Sequence, residues 1–321
     1  MRKILFIFFS GLIFFSSCKS KADRLCDLGK SYEKKGNYEK AIDYYTEAIN
    51  ANPGHIPSYN SRADIYRIQK RYENALKDYE QAIKIAPDEG MLYYNRGVMY
   101  IEKGDLSKAI ADFTKCIDLY PHFFQSYANR AIAFSQQKKY DLALADDYKA
   151  IELSPNNAQL YYNRGITYSN KGDFERAIAD FNKAIELSPH YRNIYFTRGN
   201  CYFFTKNYEK AISDYNKAID LKPSNAEAYL NRGGAYLKIG FLESAESDFL
   251  KAKALNHDMQ EAYYNLACVY SKTKEIEKAC YNLNIAITKG YQDWKHIEND
   301  KDLNNIKNSE CYRQIMKKKG K

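Results

Sequence analysis

Residues 158–191 read AQLYYNRGITYSNKGDFERAIADFNKAIELSPHY. Tyr161, Gly165 and Tyr168 follow steps of four and three, and Ala177, Phe181 and Ala184 do the same. Those steps place each trio on one face of an α-helix. Gly172 lies between the trios, where the chain must reverse. Pro189 follows the second trio, and a ring without an N–H does not continue a helix. The stretch predicts two antiparallel helices joined by a tight turn.

The same unit recurs in both directions along the chain. Pro53, Pro87, Pro121, Pro155, Pro189 and Pro223 stand 34 residues apart. Tyr59, Tyr93, Tyr127, Tyr161, Tyr195, Tyr229 and Tyr263 form a column at that period. A second column, from Tyr32 to Tyr270, lies seven residues further on. Alanines 41, 75, 109, 143, 177, 211, 245 and 279 form a third, and Gly36, Gly104, Gly172 and Gly240 mark turns. A fixed period of this length signals a solenoid, in which each unit buries its apolar face only against its neighbours. Small residues such as Gly97 and Ala109 bring the two helices of a unit close, and aromatic columns fill the wedge between units. Most of the 31 tyrosines thereby belong to the architecture.

The unit Tyr161-Tyr162-Asn163-Arg164-Gly165-x-x-Tyr168, continued by Ala177, Phe181, Ala184 and Pro189, resembles the tetratricopeptide repeat. Tyrosine stands in place of the usual first tryptophan, His257 in place of a further proline, and the eighth unit is looser. The resemblance implies an all-α fold: a right-handed superhelical solenoid of about eight helix-turn-helix repeats, whose first helices line a concave groove. The repeats fall at 22–55, 56–89, 90–123, 124–157, 158–191, 192–225, 226–259 and 260–289. In 290–321, Trp294, Ile297, Leu303, Ile306, Tyr312 and Ile315 predict a C-terminal cap of one or two helices, followed by a basic tail.

Arg62, Arg96, Arg130, Arg164, Arg198 and Arg232 share one slot. Asp78, Asp112, Asp146, Asp180, Asp214 and Asp248 share another, sixteen residues later. The first and eighth units lack both partners. This joint presence predicts an ion pair, between helices of a unit or between neighbouring units.

The start of the chain follows different rules. Met1-Arg2-Lys3 precedes an apolar run from Ile4 to Phe15 that spans roughly 18 Å as a helix, well short of a ~30 Å hydrocarbon layer. A secretory signal peptide over 1–17 fits. Phe15-Ser16-Ser17-Cys18 resembles a bacterial lipobox, which implies a lipidated N-terminus at 18–21 with the acyl chains on Cys18. Lys19 is compatible with sorting to the outer membrane. Without the leader and the four C-terminal lysines, the net charge of +9 falls to about +3, so no nucleic-acid partner is expected. Six further cysteines allow fifteen pairings, with Cys116 and Cys280 at slots that other units fill with small or apolar residues. Most read as small buried hydrophobes.

Nucleotide-binding loops, nucleophile elbows and zinc-protease motifs do not occur, and the five histidines are scattered. No catalytic residue, metal or cofactor is expected. The remaining signal is the groove: Tyr94, Tyr162, Phe196 and Tyr264 beside Asn95, Asn129, Asn163, Asn231 and Asn265. Asparagines in register with the repeat offer a donor and an acceptor to the backbone of an extended peptide. That arrangement resembles the asparagine ladder of O-linked N-acetylglucosamine transferases. The lysines of a chaperone-tail carboxylate clamp are missing, with Gln159 and Glu261 at one candidate slot. The expected function is a membrane-anchored adaptor of the bacterial envelope that holds partner segments. The alternative is a solute- or transporter-associated ligand-binding protein, which predicts a closed pocket with convergent polar groups.

Overall fold

The computed structural model describes residues 19–189 and 193–319. The expected signal peptide and Cys18 lie outside the described residues. The chain divides into two compact units, residues 1–126 and 127–321. Unit 1 holds α1 (Lys21–Lys34), α2 (Tyr38–Ala51), α3 (Ile56–Ile68), α4 (Tyr72–Ile85), α5 (Gly90–Lys103) and α6 (Leu106–Leu119). The division falls in α7 (Phe124–Gln136). Unit 2 continues with α8 (Tyr140–Leu153), α9 (Ala158–Lys171), α10 (Phe174–Leu187), α11 (Ile194–Phe204), α12 (Tyr208–Leu221), α13 (Ala226–Ile239), α14 (Leu242–Leu255), α15 (Gln260–Lys272) and α16 (Ile276–Thr288). After them come α17 (Trp294–Asn299), a 3₁₀ turn (Lys301–Leu303) and α18 (Glu310–Met316). All regular structure among the described residues is helical, and consecutive helices pack as pairs, as the 34-residue pattern predicts.

Side-chain caps set several helix starts: Asn37, Asp105 and Asp173 accept from backbone N–H groups three residues on. The turns show an alternation that the glycine pattern only half reveals. Gly36, Gly104, Gly172 and Gly240 have φ of +72°, +86°, +88° and +86°. In the intervening repeats the same slot holds Lys70, Lys138, Lys206 and Lys274, at +59°, +61°, +62° and +62°. A left-handed conformation costs a non-glycine residue roughly 1 kcal/mol, so the turn geometry is imposed by packing in every second repeat. The building block therefore has a 68-residue sub-pattern, two repeats long.

Within a repeat, a glycine lets the helices approach until an aromatic ring rests on bare backbone. A Cβ on Gly165 would lie 2.6 Å from Phe181 Cε1, and one on Gly97 would lie 2.8 Å from Phe113 Cε1. Tyr45, Tyr79, Phe113, Phe181, Tyr215 and Phe249 fill this slot and are almost fully buried. The fourth repeat breaks the rule by placing Asp147 there, 2% exposed. Thr167 Oγ1 lies 2.9 Å from Asp147 Oδ2 and 3.2 Å from the Asn163 carbonyl oxygen. Burial, chiefly, pushes the Asp147 carboxyl up to about 7. The Thr167 hydrogen bond and Arg164 hold it down, while Asp146 and Asp180 add to the rise.

All six arginine–aspartate pairs form, each joining the two helices of one repeat. Nε and Nη2 of the arginine donate to the two carboxylate oxygens, as in Arg164–Asp180 at 2.8 and 2.7 Å. Arginines also reach the second helix of the preceding repeat, as where Nη1 of Arg62, Arg198 and Arg232 donates to Thr46, Asn182 and Asn216. Arg164 instead stacks on Tyr148, with 4.5 Å between guanidinium carbon and ring centroid. The pair therefore bonds within a repeat and also ties to the one before. Below each guanidinium lies the first-column tyrosine, whose hydroxyl donates to the proline carbonyl six residues back in Tyr93–Pro87, Tyr161–Pro155 and Tyr195–Pro189.

The C-terminal segment caps the last repeat as its apolar residues predict. Ile297, Leu303, Ile306, Tyr312 and Ile315 are buried in one cluster with Leu266, Val269 and Leu283, and Trp294 packs against it. A disulfide joins Cys280 of α16 to Cys311 of α18, with Cα atoms 6.1 Å apart. These two cysteines thus depart from the small-hydrophobe role, which Cys26, Cys116, Cys201 and Cys268 do fill. The basic tail is partly tucked back, since Lys318 donates to Asn284 and Lys319 pairs with Glu298.

Two measurements follow from these interactions. Arg164→Met or Asp180→Leu alone should cost unit 2 about 3 kcal/mol, and the double variant clearly less than the sum. Denaturant titration of the four proteins shows additivity if the pair is not coupled. Asp147 sets a pH dependence whose sign is fixed. The native carboxyl titrates near 7 and an unfolded one near ~3.9, so between those values the folded state holds the extra proton. That contribution is complete below pH ~4 and is lost as the pH rises through 7, by up to about 4 kcal/mol at ~1.4 kcal/mol per unit. Asp147→Asn should flatten this part of the stability profile, and an unchanged slope would refute the assignment.

Candidate functional site

Within each unit the first helices of neighbouring repeats touch directly. In unit 1, α1 meets α3 and α3 meets α5; in unit 2, α9, α11, α13 and α15 follow in series. Within each unit these helices make a ribbon; Tyr94 and Asn95 lie on it in unit 1, and Tyr162, Asn163, Phe196, Asn231, Tyr264 and Asn265 lie on it in unit 2.

The aromatic members are half-buried anchors. In unit 1, Tyr94 packs edge-on against Phe123 at 5.1 Å and tilts over Phe113 at 5.9 Å. In unit 2, Tyr162 tilts over Phe181 at 5.7 Å and Phe196 over Tyr215 at 6.1 Å. Each ring thus has one side against the aromatic of its own repeat and is held in a fixed orientation. Such rings lose little entropy when a partner covers them.

The asparagines spend part of their capacity on the scaffold. Asn95 Nδ2 donates to Asn60 Oδ1 at 3.0 Å, and Asn231 Nδ2 donates to Asn200 Oδ1 at 2.9 Å. Both bonds lace a first helix to the one before it. Asn163 Oδ1 accepts from Gln159 Nε2 at 2.7 Å. Asn129 is half-buried on α7. Asn265 makes no hydrogen bond among the described residues, so its whole amide is available.

Tyr264 differs from its column mates. It is 3% exposed rather than facing an open groove. Its hydroxyl donates to Asp300 Oδ2 at 2.6 Å, and its ring stacks on Tyr291 with centroids 4.3 Å apart. The physical reason is the C-terminal segment, which turns back after α16 and crosses the inner face of α15. A cavity of about 430 Å³ results, with Tyr264, Asn231 and Asn265 from the ribbon on one side and Tyr291, His296 and Asp300 from the cap on the other. Phe203, Asn200 and Glu261 complete much of the wall.

The polar groups around this cavity are unequally matched. Asp302 is neutralised by Lys272 at 2.8 Å and Lys238 at 3.9 Å. Among the described residues, the cation that pairs with Asp300 is His296, through Nε2 at 3.9 Å. Burial raises the Asp300 carboxyl, but hydrogen bonds from Tyr264, the Asp302 amide and Cys268 outweigh it, and the group is held below its ordinary value. Burial, with Asp293 and Cys268 next, pushes the Tyr291 hydroxyl up to about 12. Glu261 is exposed at the rim and, among the described residues, accepts from Gln260 alone. Among the described residues, no three histidine, cysteine or acidic side chains converge to hold a metal, and no helix is long and apolar enough to cross a membrane.

The repeat pattern could not announce Tyr291, His296 and Asp300, because they stand outside it. Their only signal is the cluster of capping residues, with Asp293 and Asp300 each accepting from a backbone N–H a few residues on.

Family profiles agree with this geometry. The TPR repeat profile matches residues 63–104, 133–172 and 199–240, and tetratricopeptide repeat profiles match 22–55, 91–123, 158–191 and 260–282. No curated protein matches the sequence. Among solved structures, a tetratricopeptide repeat protein from Parabacteroides merdae is 22% identical, with 76% of this chain and 97% of that one covered and a TM-score of 0.60. PilW, a type IV pilus biogenesis factor, is 19% identical over 64% of this chain and 95% of its own, with a TM-score of 0.60. YrrB, described as a TPR protein with an unusual peptide-binding site, is 21% identical over 57% and 95%, with a TM-score of 0.50. With profiles covering more than half of its residues and repeat after repeat packed as a helix pair, the chain belongs to the tetratricopeptide repeat family.

Proposed function

We propose that this protein is an adaptor of the bacterial cell envelope, held to the membrane by lipid on Cys18, that grips extended segments of partner proteins along its first helices. The observation that carries this reading is the recurrence, at one register of the first helices, of rings at Tyr94, Tyr162, Phe196 and Tyr264 and of amides at Asn95, Asn129, Asn163, Asn231 and Asn265, with ring and amide adjacent in Tyr94-Asn95, Tyr162-Asn163 and Tyr264-Asn265. Tetratricopeptide repeat proteins serve as protein–protein interaction scaffolds, and a protein of this fold, YrrB, has a peptide-binding site. An extended chain presents backbone groups at a regular rise, so a surface with regularly placed amides and rings suits it.

Two features support export. The first residues combine a short basic stretch with an apolar run that leads to Cys18. The Cys280–Cys311 disulfide suits an oxidising compartment, where such bonds persist. Lys19, at the position after Cys18, is compatible with outer-membrane placement. A type IV pilus factor among the structural neighbours, PilW, illustrates one process for which this fold is used.

Crosslinking in native envelopes, followed by partner identification, tests the groove. Tyr162→Ala with Asn163→Ala should reduce recovery of the bound partner about tenfold or more; unchanged recovery defeats the groove assignment. Cys18→Ala should release the protein from membranes into the soluble fraction, and continued membrane association refutes the anchor.

A further inference from the structure

The ribbon of first helices ends in unit 2 against the C-terminal cap, and the cavity of about 430 Å³ forms where they meet. Its ribbon wall belongs to the repeating columns: Tyr264 occupies the aromatic slot, and Asn231 and Asn265 the amide slot. A segment lying along these columns in unit 2 leads straight to the opening. The cap wall adds Tyr291, His296 and Asp300 to these columns. Asp300 is fixed, with Oδ2 held by the Tyr264 hydroxyl at 2.6 Å and Oδ1 by the Asp302 amide at 2.9 Å. Glu261 stands at the rim with no cation paired to it among the described residues. The lysines nearby are committed to Asp302.

A closed apolar hole would take any side chain of fitting size. This cavity has stacked rings of Tyr264 and Tyr291, the ring of Phe203 and an excess of carboxylate over ammonium. Aromatic faces attract cations, and a carboxylate at a partly desolvated site attracts them more strongly than one in open water. The Asn265 amide supplies an acceptor with no competing bond. Its volume lies in the range of ~300–1,000 Å³ that small-molecule sites occupy, ample for one long side chain and its hydration.

We infer that this cavity receives a lysine or arginine side chain of the segment bound along the first helices, with Glu261 and Asp300 meeting the charge and Tyr264, Tyr291 and Phe203 enclosing the alkyl stem. The inference rests on the groove reading above and adds the class of residue that the partner presents at the capped end. It makes the C-terminal end of the ribbon selective, whereas the repeating columns read mostly backbone and shape.

The test uses the mature chain with its cap and disulfide intact. Nα-acetyl-arginine N-methylamide and the matching lysine derivative are titrated against the norleucine and glutamate derivatives. The readouts are fluorescence of the sole tryptophan, Trp294 of the cap, and amide chemical shifts of Asn265, Tyr291 and His296. The basic derivatives should saturate at least tenfold more tightly than norleucine, which is about 1.4 kcal/mol, and glutamate should not saturate. Glu261→Gln removes an exposed carboxylate while keeping an acceptor for its neighbour Gln260, so the fold should be unchanged and the preference should drop severalfold. Asn265→Ala should weaken the basic derivatives as well. Equal binding of norleucine, or a basic preference that survives Glu261→Gln and Asn265→Ala together, overturns the inference. Spermidine saturating far more tightly than either basic derivative also overturns it, in favour of a free solute. Failure of the groove reading is seen separately, as partner recovery that Tyr162→Ala with Asn163→Ala leaves unchanged.

Discussion

The bidentate arginine–aspartate pair is the interaction from which the rest of the repeat takes its geometry. Its aspartate is on the second helix and its arginine on the first, both mostly buried, so the two helices are locked in register as well as in contact. The guanidinium has nitrogens to spare after binding two carboxylate oxygens. In Arg62, Arg198 and Arg232, Nη1 uses this surplus to reach the preceding repeat, and in Arg164 the guanidinium lies on Tyr148. Lysine, a point charge with three donors, has no planar fork with which to make both attachments. The arginine also roofs the first-column tyrosine, whose hydroxyl is fixed to a proline carbonyl. This explains why the column is tyrosine rather than phenylalanine: the ring packs under a cation while the hydroxyl satisfies the carbonyl at the junction between repeats. The tyrosine of this one column is thus a consequence of the ion pair and the proline acting on one side chain.

Much of this was legible from residues because each column is repeated. A single Tyr–Ala–Pro spacing would be ambiguous, but a column that recurs through the chain over-determines helix, turn and partner. The coupling of arginine with aspartate was readable for the same reason, although only the structure separates bonding within a repeat from the added tie to the preceding one. The apolar residues of the cap were readable too, since Ile297, Leu303, Ile306, Tyr312 and Ile315 have no use except to cover the last repeat. What stays hidden in the sequence is whatever the period does not copy. The Cys280–Cys311 link joins a repeat position to a cap position, and no periodicity connects the two. The groove asparagines were found as a column, yet their mutual bonds depend on which rotamer reaches across 31 or 35 residues of chain. Tyr264 was assigned by its column and then covered by a segment that has no column.

Asp147 and the four left-handed lysines show the opposite case, deviations that the pattern itself exposes. At both, local preference loses to packing. Lys70 and Lys206 accept a backbone conformation that glycine adopts more cheaply, where the two helices they join are already held by an aromatic ring packed at the helix crossing and by the ion pair. Asp147 accepts a slot built for a ring. Protonated, it can donate to Thr167, which in turn donates to the Asn163 carbonyl, so one proton completes a chain of hydrogen bonds that a carboxylate leaves in conflict. Asn163 lies on the candidate ribbon, and the buried acid is therefore two hydrogen bonds from the residue that the partner is expected to meet.

Repetition alone makes each stretch of surface resemble the next, which favours affinity through many similar contacts but gives a bound segment no unique register. A scaffold of this kind needs a place where the period is broken in order to fix where its partner begins or ends. In unit 2 that place is the cap. The same crossing that buries the last apolar face also encloses Tyr264, lays Tyr291 against it and carries Asp300 to the end of the asparagine column. Covering the terminal repeat is a requirement of stability, and it is met here by a segment whose polar residues are fixed by their own capping bonds. A residue that must be rigid to end a solenoid is already preorganised for recognition, which removes the entropic cost that a flexible tail would carry. Selectivity at the end of the ribbon then needs no device beyond the one that keeps the last repeat folded.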